Sequence, residues 1–100
     1  DVYSLGAVLY ELLTGRPPFR AATMLETLIQ VREADPAPPR SLNPAVNRDL
    51  ETIILKAMER DRGRRYRNAG SLGRDIVRFL ANKPINARRA SIASAKRSNR

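Results

Sequence analysis

The fold is decided by residues 1–15, which read D-V-Y-S-L-G-A-V-L-Y-E-L-L-T-G. Apolar residues recur at helical spacing on nearly every side of this stretch, and Ser4 and Glu11 are its polar interruptions. Asp1 has the chemistry of a helix N-cap, and Gly15 supplies the left-handed residue that commonly ends a helix. The pattern therefore predicts a central, buried helix that needs neighbours on several sides.

Three further helices are predicted from caps and apolar spacing. Thr23 and the glutamate three residues after it form a capping box, which predicts a helix over about residues 24–33. Asn47 and Asn68 are N-caps for two later helices whose apolar residues recur every three or four positions. The four prolines within residues 35–44 predict an extended connection. Because no run alternates with period two, we expect an all-α fold.

Basic residues are concentrated at the end of the chain. The formal net charge is +9, and residues 83–100 contain six of the 19 basic residues and no acidic residue. This stretch is also poor in large apolar side chains. We therefore expect a folded body over residues 1–82 and a basic flexible tail over residues 83–100.

The composition excludes several kinds of chemistry. The sequence has no cysteine and no histidine, so it contains no disulfide, thiol nucleophile, imidazole base or Cys/His metal site. No apolar run approaches the roughly 18 residues of a membrane helix, and no signal peptide is recognisable, which favours a cytoplasmic location. The chain opens on Asp1 directly into a helix, so we expect it to be a piece of a longer protein.

Several motifs occur in an order shared with a known family. They are D-V-Y-S-L-G at residues 1–6, Y-E-L-L-T-G-R-P-P-F at residues 10–19 and D-x-x-x-R-Y at residues 61–66. In this order they closely resemble the C-terminal third of eukaryotic-like serine/threonine protein kinases. L-E-T-I-x-L-K at residues 50–56 resembles bacterial members in particular. The resemblance covers residues 1–82 and implies an all-α fragment, helices F to I of the C-terminal lobe of the protein-kinase-like fold.

The kinase resemblance implies a parent enzyme that transfers the γ-phosphate of ATP, with magnesium, to serine or threonine of proteins. The glycine-rich loop, the catalytic aspartate and the D-F-G motif that this chemistry needs are absent from the 100 residues. We therefore expect the segment alone to bind no cofactor and to be inactive. Its implied partners are the remainder of the kinase domain and a protein substrate. A pseudokinase parent is an alternative.

The resemblance also implies roles for three side chains. Asp1 matches the aspartate that holds the catalytic loop through backbone N–H groups, and the alternative is a simple N-cap. Arg65 matches the arginine that pairs with the glutamate of an A-P-E segment absent from this chain, and the alternative is a solvated charge. Arg62 stands where the family usually has proline. Glu11 resembles the glutamate that binds a substrate arginine two residues before the phosphoacceptor, or else pairs with an arginine inside the lobe.

Two surfaces are candidates for regulation and docking. Arg88-Arg89-Ala90-Ser91-Ile92 resembles a phosphoacceptor site of a basophilic kinase, so we expect the parent kinase or a relative to phosphorylate Ser91. The alternative is a basic linker that happens to contain serines. Met24 and Leu28 make the second helix a candidate docking face, unless they only cover a core.

The basic tail leaves two other interpretations open. A basic helical module that binds nucleic acid would show this overall charge, but the body has no recognition helix after a tight turn, so we expect no specific nucleic-acid partner. The tail is also typical of a juxtamembrane linker before a membrane span beyond residue 100, because cationic residues favour the inner membrane face.

Overall fold

A computed structural model describes residues 1–87, which form five helices and no strand. The all-α class predicted from the sequence is confirmed, and the four predicted helices are present. None of the helices in this range is long and apolar enough to cross a membrane. In chain order the helices are α1 (Val2–Thr14), α2 (Met24–Glu33), α3 (Pro39–Leu42), α4 (Arg48–Ala57) and α5 (Ala69–Leu80).

The four long helices begin at the residues that the sequence predicts as caps. Side-chain oxygens of Asp1, Thr23, Asn47 and Asn68 each accept a first-turn backbone N–H at 2.8–3.1 Å. These bonds satisfy donors that a helix start leaves unpaired. Gly15 ends α1 in the left-handed conformation, with φ of 80°, which glycine adopts without a steric cost.

The centre of the described chain is α4. Ile53 and Ile54 are both fully buried and face opposite neighbours: Ile53 packs with Leu72 of α5, and Ile54 packs with Tyr10 of α1. On α1, by contrast, the buried residues are Gly6 and Tyr10 alone. The prediction that α1 is the central buried helix is therefore wrong for residues 1–87, because only one side of α1 packs on the core clusters and Leu5, Val8 and Leu12 stay exposed within this range.

The contact between α1 and α4 depends on Gly6. A Cβ atom at this position would lie 2.8 Å from the Cβ of Ala57 and 2.9 Å from the Cγ of Met58. Carbon atoms in contact normally lie at about 3.5–4.0 Å. The missing side chain thus lets the two helices approach more closely than another residue would permit.

The connection over residues 35–44 is only partly extended, because it contains the short helix α3. Pro39 is its first residue, where proline loses no helical hydrogen bond and its fixed φ suits the helix. Two side-chain bonds attach the connection to α1: the Tyr10 hydroxyl donates to a carbonyl of the connection at 2.7 Å, and the Asn43 amide donates to a carbonyl of α1 at 2.8 Å. Leu42 packs with the core cluster that contains Tyr10 and Ile54.

The chain continues to pack after α5. Asn82 adopts a positive φ of 57°, a conformation that asparagine tolerates better than most residues. The chain then reverses, and Ile85 and Ala87 are 0% and 2% exposed. Residues 83–87 therefore belong to the packed body and not to the predicted flexible tail, because their apolar side chains complete the core beside α5.

Helix α2 lies at the periphery and has no buried residue within residues 1–87. Its apolar side chains Met24, Leu25 and Leu28 are 81%, 68% and 59% exposed. The C-terminal end is held by Arg60, whose guanidinium donates to the carbonyl of Arg32 at 2.8 Å. The apolar residues of α2 therefore do not cover the core formed by residues 1–87.

Candidate functional site

One face of α1 begins at Asp1 and stays uncovered by residues 1–87. Leu5, Val8 and Leu12 follow Asp1 by about one, two and three helical turns, and they are 43%, 55% and 74% exposed. They lie opposite the side on which Tyr10 is buried. We call these four residues, Asp1, Leu5, Val8 and Leu12, the Asp1 face. An exposed apolar stripe next to a polar group is typical of a surface that another polypeptide covers.

The Asp1 carboxylate acts as the cap of α1. Its Oδ1 atom accepts the backbone N–H of Tyr3 at 2.9 Å, and its Oδ2 atom accepts the Ser4 hydroxyl at a long 3.4 Å. Asp1 is exposed, and an ionised carboxylate can accept about four hydrogen bonds. The cap is thus observed, and acceptor capacity is left for donors from another segment.

Glu11 lies beside the Asp1 face and is exposed. Within residues 1–87 its carboxylate has no hydrogen bond and no ion pair. The sequence alternative, in which Glu11 pairs with an arginine inside the lobe, does not occur in this range. The carboxylate can therefore receive a cation without breaking a contact made by the described residues.

Arg65 follows a turn that the Asp61 carboxylate builds. Asp61 Oδ1 accepts the N–H of Gly63 at 2.8 Å, and the Asp61 carbonyl accepts the N–H of Arg65 at 3.1 Å. The turn closes with Arg62 where the family usually has proline. Arg65 is half-buried, and its guanidinium donates to the carbonyl of Glu59 at 3.3 Å. No acidic partner for Arg65 exists among residues 1–87.

A cleft of about 350 Å³ opens where α1, the end of α2 and the end of α4 meet. Burial raises the pKa of Tyr3, while the positive charges of Arg60 and Arg65 act to lower it, so Arg65 lies within electrostatic reach of the cleft. Charges of both signs and apolar side chains border the opening. The side chains that line it include Tyr3, Phe19, Asp35, Met58, Glu59, Arg60 and Arg64.

Among residues 1–87 the side chain with the most hydrogen bonds is that of Asp75, which was not predicted as a site from the sequence. It is fully buried in α5. Its Oδ2 atom accepts the Tyr66 hydroxyl at 2.7 Å and the N–H of Ala87 at 3.0 Å. Its Oδ1 atom accepts the N–H of Asn86 at 2.8 Å and the Arg78 guanidinium at 3.3 Å. One carboxylate therefore joins the loop after α4, α5 and the chain after α5.

These contacts keep the Asp75 carboxyl ionised and the Tyr66 hydroxyl protonated. Burial alone would raise the pKa of Asp75, but the hydrogen bonds from Tyr66, two backbone N–H groups and Arg78 outweigh it and hold this pKa below its ordinary value. The pKa of Tyr66 is raised far above its ordinary value by burial, by its hydrogen bond to Asp75 and by the charge of that carboxylate. The ionised carboxylate thus stabilises the fold at neutral pH, and this contribution is lost as the pH falls through the folded pKa.

A sequence signal for Asp75 existed. Asp75 lies three residues after Leu72 and one before Ile76, within the apolar stripe of α5, where a charged residue is rare unless it is paired.

Within residues 1–87 no group of acidic residues is arranged to hold a metal ion.

The all-α architecture of residues 1–87 is the one that the resemblance to the C-terminal lobe of a protein kinase implies. No family model matches the chain. Curated proteins that do match it include several named as serine/threonine protein kinases.

Three relatives illustrate the match. The serine/threonine-protein kinase PknB of Mycobacterium leprae is 38% identical over 87 residues, PknB of Mycolicibacterium smegmatis is 40% identical over 78 residues, and a probable serine/threonine-protein kinase of Streptomyces coelicolor is 36% identical over 95 residues. These matches cover 87%, 78% and 95% of this chain. The chain is therefore related to bacterial serine/threonine protein kinases, as its motifs predict.

The chain spans only a small part of these relatives. It covers 14% of the Mycobacterium leprae protein, 12% of the Mycolicibacterium smegmatis protein and 14% of the Streptomyces coelicolor protein. The match is thus to a segment of a kinase. The relatives give no support to the alternatives of a nucleic-acid-binding module or a pseudokinase scaffold.

Proposed function

We propose that this chain is the C-terminal helical part of an active bacterial serine/threonine protein kinase. In this proposal it holds the catalytic loop and helps to dock a protein substrate, and it does not catalyse by itself. The observation that carries the proposal is the Asp1 face, an apolar stripe headed by a carboxylate that residues 1–87 leave uncovered. The rest of the kinase domain would cover that stripe, and ATP and magnesium would bind to the parent outside this chain.

Asp1 would fix the catalytic loop. Its carboxylate lies at the start of a helix that packs tightly on α4 through Gly6, so its position is set by a rigid element. Backbone N–H groups of the loop would donate to the acceptor capacity that the cap leaves unused. Catalytic groups need this kind of support, because small displacements lower the rate strongly.

Arg65 would bind the glutamate of the A-P-E segment. A guanidinium has five N–H donors, and within residues 1–87 only the Glu59 carbonyl accepts from this one. The half-buried setting beside the cleft would strengthen an ion pair relative to one in water. Arg65 would thereby attach the A-P-E segment to the helical lobe.

Glu11 would recognise a substrate arginine. We expect Glu11→Gln in the full-length protein to lower kcat/KM by about fivefold for a peptide with arginine two residues before the phosphoacceptor. This factor corresponds to the loss of an exposed ion pair that contributes about 1 kcal/mol. A peptide with alanine at that position should be phosphorylated equally by both proteins. Glu33→Gln on α2 is the control. An unchanged arginine preference in the Glu11 variant would contradict the role.

The exposed side chains of α2 support docking of the protein substrate there, since Met24 and Leu28 are 81% and 59% exposed. Residues 88–100 lie outside the described residues, and so does Ser91. Its phosphorylation, the membrane proximity of the basic tail and a cytoplasmic location all stay predictions.

The proposed function is tested by phosphoryl transfer from labelled ATP to a basic protein substrate. We expect the full-length protein to label serine or threonine, and the isolated 100-residue chain to label nothing, because it lacks the glycine-rich loop, the catalytic aspartate and the D-F-G motif. Phosphoamino-acid analysis identifies the acceptor. No transfer by the full-length protein, or transfer by the isolated chain, would contradict the proposal.

A further inference from the structure

The chain after α5 forms a strap, residues 83–87, that lies on the body. It begins where Asn82 reverses the chain, and the N–H of Lys83 donates to the carbonyl of Arg78 at 2.8 Å. Ile85 is fully buried in the core cluster that also contains Ile53 and Tyr66. The strap is thus held by two apolar side chains in the core, Ile85 and Ala87, and by the hydrogen bonds of its own N–H groups.

Two of those hydrogen bonds end on a single side chain, that of Asp75. Asn86 and Ala87 donate their N–H groups to the two oxygens of Asp75, at 2.8 Å and 3.0 Å. The oxygen that accepts Ala87 also accepts the Tyr66 hydroxyl at 2.7 Å. Tyr66 is the neighbour of Arg65 on the loop over residues 61–67. The strap and that loop therefore meet at one carboxylate oxygen.

We infer that Asp75 is a latch that couples the attachment of the strap to the conformation of the loop carrying Arg65. When the strap is attached, Asp75 is held in place to accept Tyr66 and thereby fixes the loop. When the strap detaches, the Asp75 carboxylate loses the N–H donors of Asn86 and Ala87. Tyr66 of the loop then no longer has an acceptor that is held in place. Because coupling between two sites is reciprocal, loosening the loop must also loosen the strap.

The burial of the carboxylate makes this coupling strong. A buried charge that loses a hydrogen-bond donor is penalised far more than an exposed one. The ion pairs Arg60–Asp35 and Arg64–Asp61 are exposed, with the Asp35 and Asp61 side chains 87% and 64% accessible, and could break at little cost. Asp75 is 0% exposed, so the strap and the loop are held together or released together. The inference rests on these contacts and does not depend on the proposed kinase activity.

Hydrogen exchange of the full-length protein, followed by mass spectrometry of peptides covering residues 61–67 and 83–87, tests the latch. In Asp75→Asn we expect exchange of the strap to accelerate about tenfold or more, since an amide cannot accept at both positions. Tyr66→Phe removes one donor from the loop side only, and exchange of the strap should still accelerate severalfold. Ala87→Pro removes one donor from the strap side, and exchange of the loop should accelerate in turn.

The matched control is Tyr10→Phe, which removes another tyrosine hydroxyl that donates one hydrogen bond, to Ala37. Its exchange over residues 83–87 should equal that of the wild type. The latch is overturned if Tyr66→Phe changes the loop while the strap exchanges at the wild-type rate. It is equally overturned if Ala87→Pro leaves the loop unchanged. Both variants keep the Asp75 carboxylate, so the test does not depend on whether Asp75→Asn folds.

Discussion

Gly6→Ala is expected to lower the free energy of unfolding of the chain by about 1–2 kcal/mol. The new Cβ would lie 2.8 Å from the Cβ of Ala57, an atom that is fixed to the backbone of α4 and cannot rotate away. Overpacking of this kind costs about 1–3 kcal/mol, and the better helix propensity of alanine recovers up to about 1 kcal/mol. The steric term wins, because α1 and α4 must move apart and loosen the packing of Tyr10 on Ile54.

Gly73→Ala in α5 is the matched control for this prediction. A Cβ at residue 73 would have no heavy atom within 4 Å, so only the helix propensity changes and the free energy of unfolding should rise by about 0.5–1 kcal/mol. Urea unfolding of the two variants, followed by far-ultraviolet circular dichroism, should therefore shift in opposite directions. Equal shifts would show that the close approach at Gly6 does not limit the packing of α1 on α4.

The helix starts could be predicted from the sequence because their causes are local. Asp1, Thr23, Asn47 and Asn68 each accept an N–H two or three residues away, so the sequence contains both partners of the bond. The left-handed end of α1 at Gly15 is local in the same way. For these features the residue type and its immediate neighbours determine the geometry.

The partners of each apolar face could not be predicted in the same way. The pattern of residues 1–15 shows that the helix has apolar surface on most sides, but not which neighbour covers which side. In the structure α4 covers the side of Gly6 and Tyr10, and Leu12 stays 74% exposed. An apolar face that residues 1–87 leave uncovered has the same sequence pattern as a buried one.

Asp75 and the strap were missed for a related reason. The donors to Asp75 come from residues 9, 11 and 12 positions away, and one more comes from Arg78 on the same helix. Because residues 83–100 are strongly basic, they were predicted to be a flexible tail, although the strap contains one large apolar side chain, Ile85. A charged residue inside an apolar stripe, such as Asp75, signals that a buried partner exists without identifying it.

Asp1→Asn in the full-length protein is expected to lower the rate of phosphoryl transfer by about a hundredfold, the loss that follows from displacing catalytic groups by about 1 Å. Asparagine caps a helix as well as aspartate does, so the N–H of Tyr3 keeps its acceptor and the free energy of unfolding should change by less than about 0.5 kcal/mol. What is lost is the charge and one acceptor oxygen, on which the catalytic loop would depend. The variant thus separates the two roles assigned to Asp1.

The most direct test of the account is kcat for phosphoryl transfer by the full-length wild type, Asp1→Asn and Asn47→Asp, each measured with its melting temperature. Asn47→Asp exchanges the same two residue types at the cap of α4 and is the matched control. We expect kcat to fall about a hundredfold in Asp1→Asn alone, with all three melting temperatures alike. If Asp1→Asn transfers phosphate as fast as the wild type, Asp1 is only a helix cap and the proposed role of the Asp1 face in holding the catalytic loop is wrong.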